Sequence, residues 1–184
     1  MSKPYRRTAL ISASLLAAGA VVATVVGLAS ARNGHSLAAV AASATARFHD
    51  LDAARAAGWN TVVADLQGIT CIDNQPVGGM GVHYANGPLL GDALADPRRP
   101  EALVYAPNSD GRLKLAALEY IIFQQAWKDA GHDDAHPPEL FGQTFSLTPA
   151  GNRFGLDPFY SLHVWLWRPN SAGEFQPWNP AVHC

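Results

Sequence analysis

The sequence predicts an α+β domain in which one long N-terminal helix packs on an antiparallel sheet. Residues 36–57 are Ala-rich and free of proline, with apolar side chains at helical spacing. Downstream, the apolar runs are short, alternate with period two and are separated by turn residues. Glycine and proline number 16 and 13 of the 184 residues, which favours turns over long helices. A small β-barrel with a covering helix is the alternative arrangement of the same elements.

Taken in order, the helix places Leu37, Val40 or Ala41, Ala44, Phe48, Leu51 and Arg55 along one side. Ser36 or Asn33 can cap its first amides, and Gly58 supplies a left-handed terminator. Short strands are expected over residues 61–64 and 79–85, separated by a loop through Cys71 that contains Pro76, Gly78 and Gly79. Residues 88–100 read as a loop with at most one helical turn. The clearest hairpin joins 103–106 to 112–123 through Pro107, Asn108, Ser109, Asp110 and Gly111. A short helix over 124–129 must stop before Gly131 and the Pro137, Pro138 pair. Residues 160–167 form the last strong strand, and the proline-containing tail 169–184 is expected to be extended.

The first 31 residues read as a secretory signal peptide, leaving 32–184 as a single globular domain. Lys3, Arg6 and Arg7 precede an uncharged run from Thr8 to Ser30, and Ala29 and Ala31 suit a signal peptidase. An uncleaved N-terminal anchor is the competing reading, since the apolar run is long enough to span a bilayer. The Arg6, Arg7 pair hints at twin-arginine export. Both readings place the domain outside the cytoplasm, secreted or in the cell envelope. Beyond that segment ten basic residues face fifteen acidic ones. Without clustered lysine and arginine, neither nucleic acid nor a membrane surface is an expected partner of the mature domain.

Cys71 and Cys184 are the only cysteines. In an oxidising compartment two thiols in one small domain are expected to pair, although a thiolate metal ligand beside His183 or an intermolecular bridge would use the same residues.

Four segments, ATARFHDLDAARAAGW from Ala44, GMGVHY from Gly79, LFGQTF from Leu140, and LHVWLW with the closing NSAGEFQPWNPAVHC, resemble a family of uncharacterised exported bacterial proteins. The resemblance covers nearly the whole mature chain. It implies an exported single domain and carries no activity, substrate or catalytic residue.

No GxSxG elbow, P-loop, HExxH helix or CxxCH haem site is present, and nothing points to a nucleotide or haem. Gly79, Met80, Gly81 starts like a dinucleotide fingerprint, but Tyr84 stands at the third glycine position. The informative residues are polar groups in apolar strands. Strict alternation puts Glu119 in one row with Leu113, Leu115, Ala117, Ile121 and Phe123, where a buried carboxylate needs a metal or an arginine such as Arg153 or Arg168. His83 lies between the small residues Gly81 and Ala85, leaving room for a ligand. His163 is expected to share a face with Ser161, Trp165 and Trp167. His49, near Asp50 and Asp52 on the helix, is a further imidazole. His132, Asp133, Asp134 and His136 read as an acidic surface loop.

These residues support two functions. In the first, His83, Glu119 and His163, with His49 as a fourth ligand or base, hold one divalent ion (zinc, iron or copper) in an exported enzyme acting on a small molecule. In the second, Trp165, Trp167 and Trp178 form a stacking platform of a non-catalytic envelope domain that binds a ligand or partner. Each histidine taken alone fits a satisfied structural role better, and it is their joint occurrence with Glu119 on neighbouring strands that raises the functional reading.

Overall fold

Residues 34–184 are described by the structure, a computed structural model, so the expected signal segment lies outside the described residues. Residues 34–45 are helical (α1), and at their end the Thr45 hydroxyl donates to the Ala41 carbonyl at 2.7 Å. The chain then tightens into a 3-10 turn, Ala46–His49, and restarts as α2, Leu51–Ala56. The expected uninterrupted helix over 36–57 is therefore broken. The reason is Asp50, whose backbone is extended and whose carboxylate accepts from the amides of Asp52 and Ala53, an N-cap arrangement.

Seven strands form one antiparallel sheet: β1 (Thr61–Val62), β2 (Cys71–Asn74), β3 (Gly78–Ala85), β4 (Ala102–Pro107), β5 (Leu113–Phe123), β8 (Ser146–Thr148) and β9 (Phe159–Val164). The order is β1-β3-β4-β5-β9-β8, with β2 sharing the β1 edge of β3. A separate hairpin pairs β6 (Glu139–Leu140) with β7 (Gln143–Thr144). The β4–β5 hairpin and the short helix α3 (Gln124–Asp129) stand where the sequence places them. The last strand ends at Val164, short of the expected Trp167, and β2 occupies part of the expected loop through Cys71. The sheet is open, with β1 and β2 on one edge and β8 on the other.

One face of the sheet carries the helices. Tyr84, Leu103, Tyr105, Leu118, Tyr120, Ile122, Leu162 and Val164 pack there with Ala41, Phe48, Ala54 and Trp59. Polar tips fasten the layers together: Tyr105 Oη donates to the Phe48 carbonyl at 2.6 Å, and Trp59 Nε1 to that of Pro100 at 2.9 Å. The opposite face holds a smaller cluster of Val104, Ala106, Ala116, Ala117, Trp165 and Val182, covered by the C-terminal tail.

A bulge decides which residues look which way. Val104 pairs with Ala117, but Tyr105 pairs with Leu115, so Ala116 is an extra residue on β5. Leu115 consequently joins the helix-side core with Leu118, whereas Ala116 and Ala117 belong to the other face. The expected single row from Leu113 to Phe123 does not exist. Glu119 shares its face with Ala117, and with Ile121 and Phe123, which line one cavity with it.

Cys71 on β2 is bonded to Cys184 across 113 residues of chain. Asn179 exchanges backbone hydrogen bonds with Gly79 at 3.0 and 3.1 Å, and a Cβ on Gly79 would lie 2.7 Å from the Val182 side chain. The tail thus presses directly on the start of β3. Among the described residues no helix is long and apolar enough to cross a membrane.

Candidate metal centre

His83, Glu119 and His163 meet on the face opposite the helices. Registers align Ala85, Ala102, Glu119 and His163 in one row across β3, β4, β5 and β9, with His83 opposite Val104 one step along. Since β4 stands between β3 and β5, His83 must cross roughly 9.5 Å, two strand spacings, to meet Glu119. Ala102 and Ala117, both fully buried, are small enough to let it do so. The glycines of β3 serve the same end. Gly81 has φ +97°, and a Cβ there would meet the Tyr105 carbonyl oxygen at 2.5 Å, so only glycine lets β3 lie this close to β4.

His83 Nε2 lies 3.2 Å from Glu119 Oε2 and 3.2 Å from His163 Nε2, while His163 Nδ1 lies 3.4 Å from Glu119 Oε1. All three residues are buried, and one donor atom from each falls within 4.8 Å of the others. Donors held about 2.0–2.2 Å from one ion in tetrahedral or octahedral geometry are separated from each other by about 2.8–3.6 Å. Both spacings from His83 Nε2 fit that range, and one donor atom from each of the three residues lies within 4.8 Å of the others, so this group could hold a metal ion. Neither arginine considered as a partner for Glu119 reaches it: Arg153 pairs with Asp65 at 2.7 Å, and Arg168 donates to the carbonyls of Pro107 and Ala181. His83 turns Nε2 toward the other two residues, and its buried Nδ1 makes no hydrogen bond of good geometry among the described residues.

Burial sets the protonation of the group. It pushes the His83 imidazole down to about 4 and holds His163 well below the usual imidazole range, with His83 adding to the effect on His163. It pushes the Glu119 carboxyl up to about 8, and the Ser161 hydroxyl beside it acts the other way. Both imidazoles are thus neutral and ready to donate a lone pair. A divalent cation would take the place of the Glu119 proton and reverse the cost of ionising it.

Two cavities adjoin the group. His83 and Glu119 stand in the wall of one of about 300 Å³, lined mostly by apolar side chains from β1, β3, β5, β9 and the loop after β8. His163 lines a smaller one of about 170 Å³ with Gln143, Thr144, Ser146 and Gln176, and Ser161 borders both. The centre therefore has an apolar side and a polar side.

The chain matches no protein-family model, no curated protein and no solved structure in the comparisons made with each.

His49 is not part of the group. It is exposed on the 3-10 turn on the helix side, with its ring edge-on to Trp167 at 5.1 Å. The tryptophans do not form one platform either. Trp165 is buried beside His163 on the face of the centre, and its indole donates to Gln176, whereas Trp167 packs toward the helix-side core. The strand ends before Trp165, so alternation no longer governs where Trp167 points. Trp178 lies in the tail, half-buried. His132, Asp133, Asp134 and His136 form the expected surface loop: His136 pairs with Asp133 at 2.8 Å, Asp134 with Lys128 at 2.9 Å, and His132 stacks on Trp127.

One residue escaped the sequence reading. Glu101, 2% exposed, accepts the Ile121 amide at 2.9 Å, and burial pushes its carboxyl up to about 8. It precedes β4, where alternation says nothing about burial; the only signal was a charged residue directly beside an apolar strand.

Proposed function

We propose that this chain is an exported metal-dependent enzyme acting on a small molecule, with His83, Glu119 and His163 as the ligands of one divalent ion. The observation that carries this reading is the convergence of three buried donors within 4.8 Å of one another, two of them in the wall of an apolar cavity and the third in the wall of a polar one. Export rests on the N-terminal segment, and the disulfide is consistent with it. A bound ion with two imidazoles and one carboxylate retains open positions, where it would polarise a substrate oxygen or lower the pKa of a water. The protein's own part is to keep both imidazoles neutral, to exclude bulk water through Ile121, Phe123 and Phe159, and to admit polar species by the side that His163 lines. Nitrogen and oxygen donors suit zinc, iron or copper alike.

The test is metal analysis of untagged protein recovered from its export compartment. Near one equivalent of metal is expected in the native chain and in Glu101→Gln, which alters a buried carboxyl outside the group, and far less in Glu119→Gln. A native chain that is metal-free and whose melting temperature is unmoved by zinc, ferrous or cupric ions would refute the reading. Small-molecule binding by such a metal-free chain would then identify a non-catalytic envelope domain.

A further inference from the structure

We infer that the 300 Å³ cavity binds a monoanionic amphiphile, its acid oxygen on the metal and an apolar body of medium-chain size in the chamber. The inference rests on the metal reading above and names the substrate class for that same site. Charge is the first argument. A divalent ion with one carboxylate and two neutral imidazoles has a net charge of +1, and in a water-poor chamber a single negative head brings it to neutrality. Among the described residues no lysine or arginine lines the chamber. Arg153, in the loop next to it, is already paired with Asp65 at 2.7 Å. An anionic head therefore finds its countercharge only at the centre.

Size and shape are the second argument. Met80, Leu90, Ile121, Phe123, Phe154 and Phe159 line the body of the chamber, and its remaining polar groups lie beside the centre or belong to threonines. A water's share of liquid volume is about 30 Å³ and a methylene occupies about as much, so the chamber holds roughly ten heavy atoms. A dianionic or sugar-like substrate would leave its polar groups unpaired against this wall. The mouth suits an amphiphile as well. Leu156 borders the chamber while 41% exposed, and Leu66, 69% exposed, lies against Gly155 next to it.

Octanoate, with ten heavy atoms and one carboxylate, is the probe, and octylammonium is its charge-reversed control. Isothermal titration is run on the zinc-loaded chain, the metal-free chain and zinc-loaded Ala64→Trp, with metal content measured in parallel. Ala64 is exposed at the cavity wall, so the indole fills the chamber from outside with little demand on the core. One-to-one octanoate binding is expected with zinc, at least tenfold weaker without it and at least tenfold weaker in Ala64→Trp at unchanged metal content; octylammonium should not bind. Equal octanoate affinity in all three samples, or binding of octylammonium, would overturn the inference. If the chain binds zinc but no octanoate, the substrate class is wrong and the metal reading stands. If it takes up no metal, both fail.

Discussion

Replacing Cys71 and Cys184 together by serine isolates the contribution of the cross-link. Cys71 is half-buried and Cys184 exposed, so the substitutions themselves leave little cavity. The tail's other contacts stay in place: the Gly79–Asn179 backbone pair, the fully buried Val182, and the Trp165 bond to Gln176. The change is therefore concentrated in the unfolded state, which is released from a loop closed across 113 residues. In the chain-entropy model that loop corresponds to about 5 kcal/mol at 25 °C. For a domain of this size that is a fall in melting temperature of roughly 10–20 °C. Urea unfolding followed by tryptophan fluorescence is the assay, with native protein under reductant as the matched sample. The variant's denaturant dependence should also steepen, because its unfolded chain is less compact. A loss below about 1 kcal/mol would show that the tail is held by its native contacts alone and that loop closure is the wrong account.

Three further outcomes follow from the two faces of the sheet. Phe48→Ala removes a fully buried ring tilted against Trp59 on the helix side and should cost about 3–5 kcal/mol in chemical denaturation, while metal content, set on the other face, stays unchanged. Ala102→Leu fills the space over which His83 reaches Glu119; metal uptake should be lost in metal analysis, with an overpacking cost of about 1–3 kcal/mol. For pH dependence, native Glu101 keeps its proton up to about pH 8, whereas in the unfolded chain it ionises near the ordinary glutamate value. Protonation thus favours the native state, and the stability it contributes is complete below the unfolded value and lost as pH rises through about 8. Glu101→Gln should remove that share of the decline, on the order of 1 kcal/mol per pH unit at most, in denaturation curves between pH 5 and 8.

Much of the local structure was legible because it depends on neighbours in the chain. The turn at Asn108 to Gly111 sets the β4–β5 hairpin, Gly131 stops α3, and the polar interruptions at His83, Glu119 and His163 stand out against apolar strands. An antiparallel sheet with helical structure on one face follows from those periods. The helix break was less visible, since Asp50 acts as a cap only by competing locally for the Asp52 and Ala53 amides. What periodicity could not supply was the side on which residues lie once a strand is irregular. Ala116 is an extra residue only relative to Tyr105 and Val104 on another strand, and that register turns Leu115 away from Glu119. The same limit separates Trp165 from Trp167 and leaves His49 on the far side of the sheet from the centre. Residue types and spacing along the chain determine where helices, strands and turns can form, because those preferences are short-range. That His83 reaches Glu119 over Ala102, and that burial then leaves both imidazoles neutral and raises two carboxyls, was decided by strand register and packing between segments tens of residues apart.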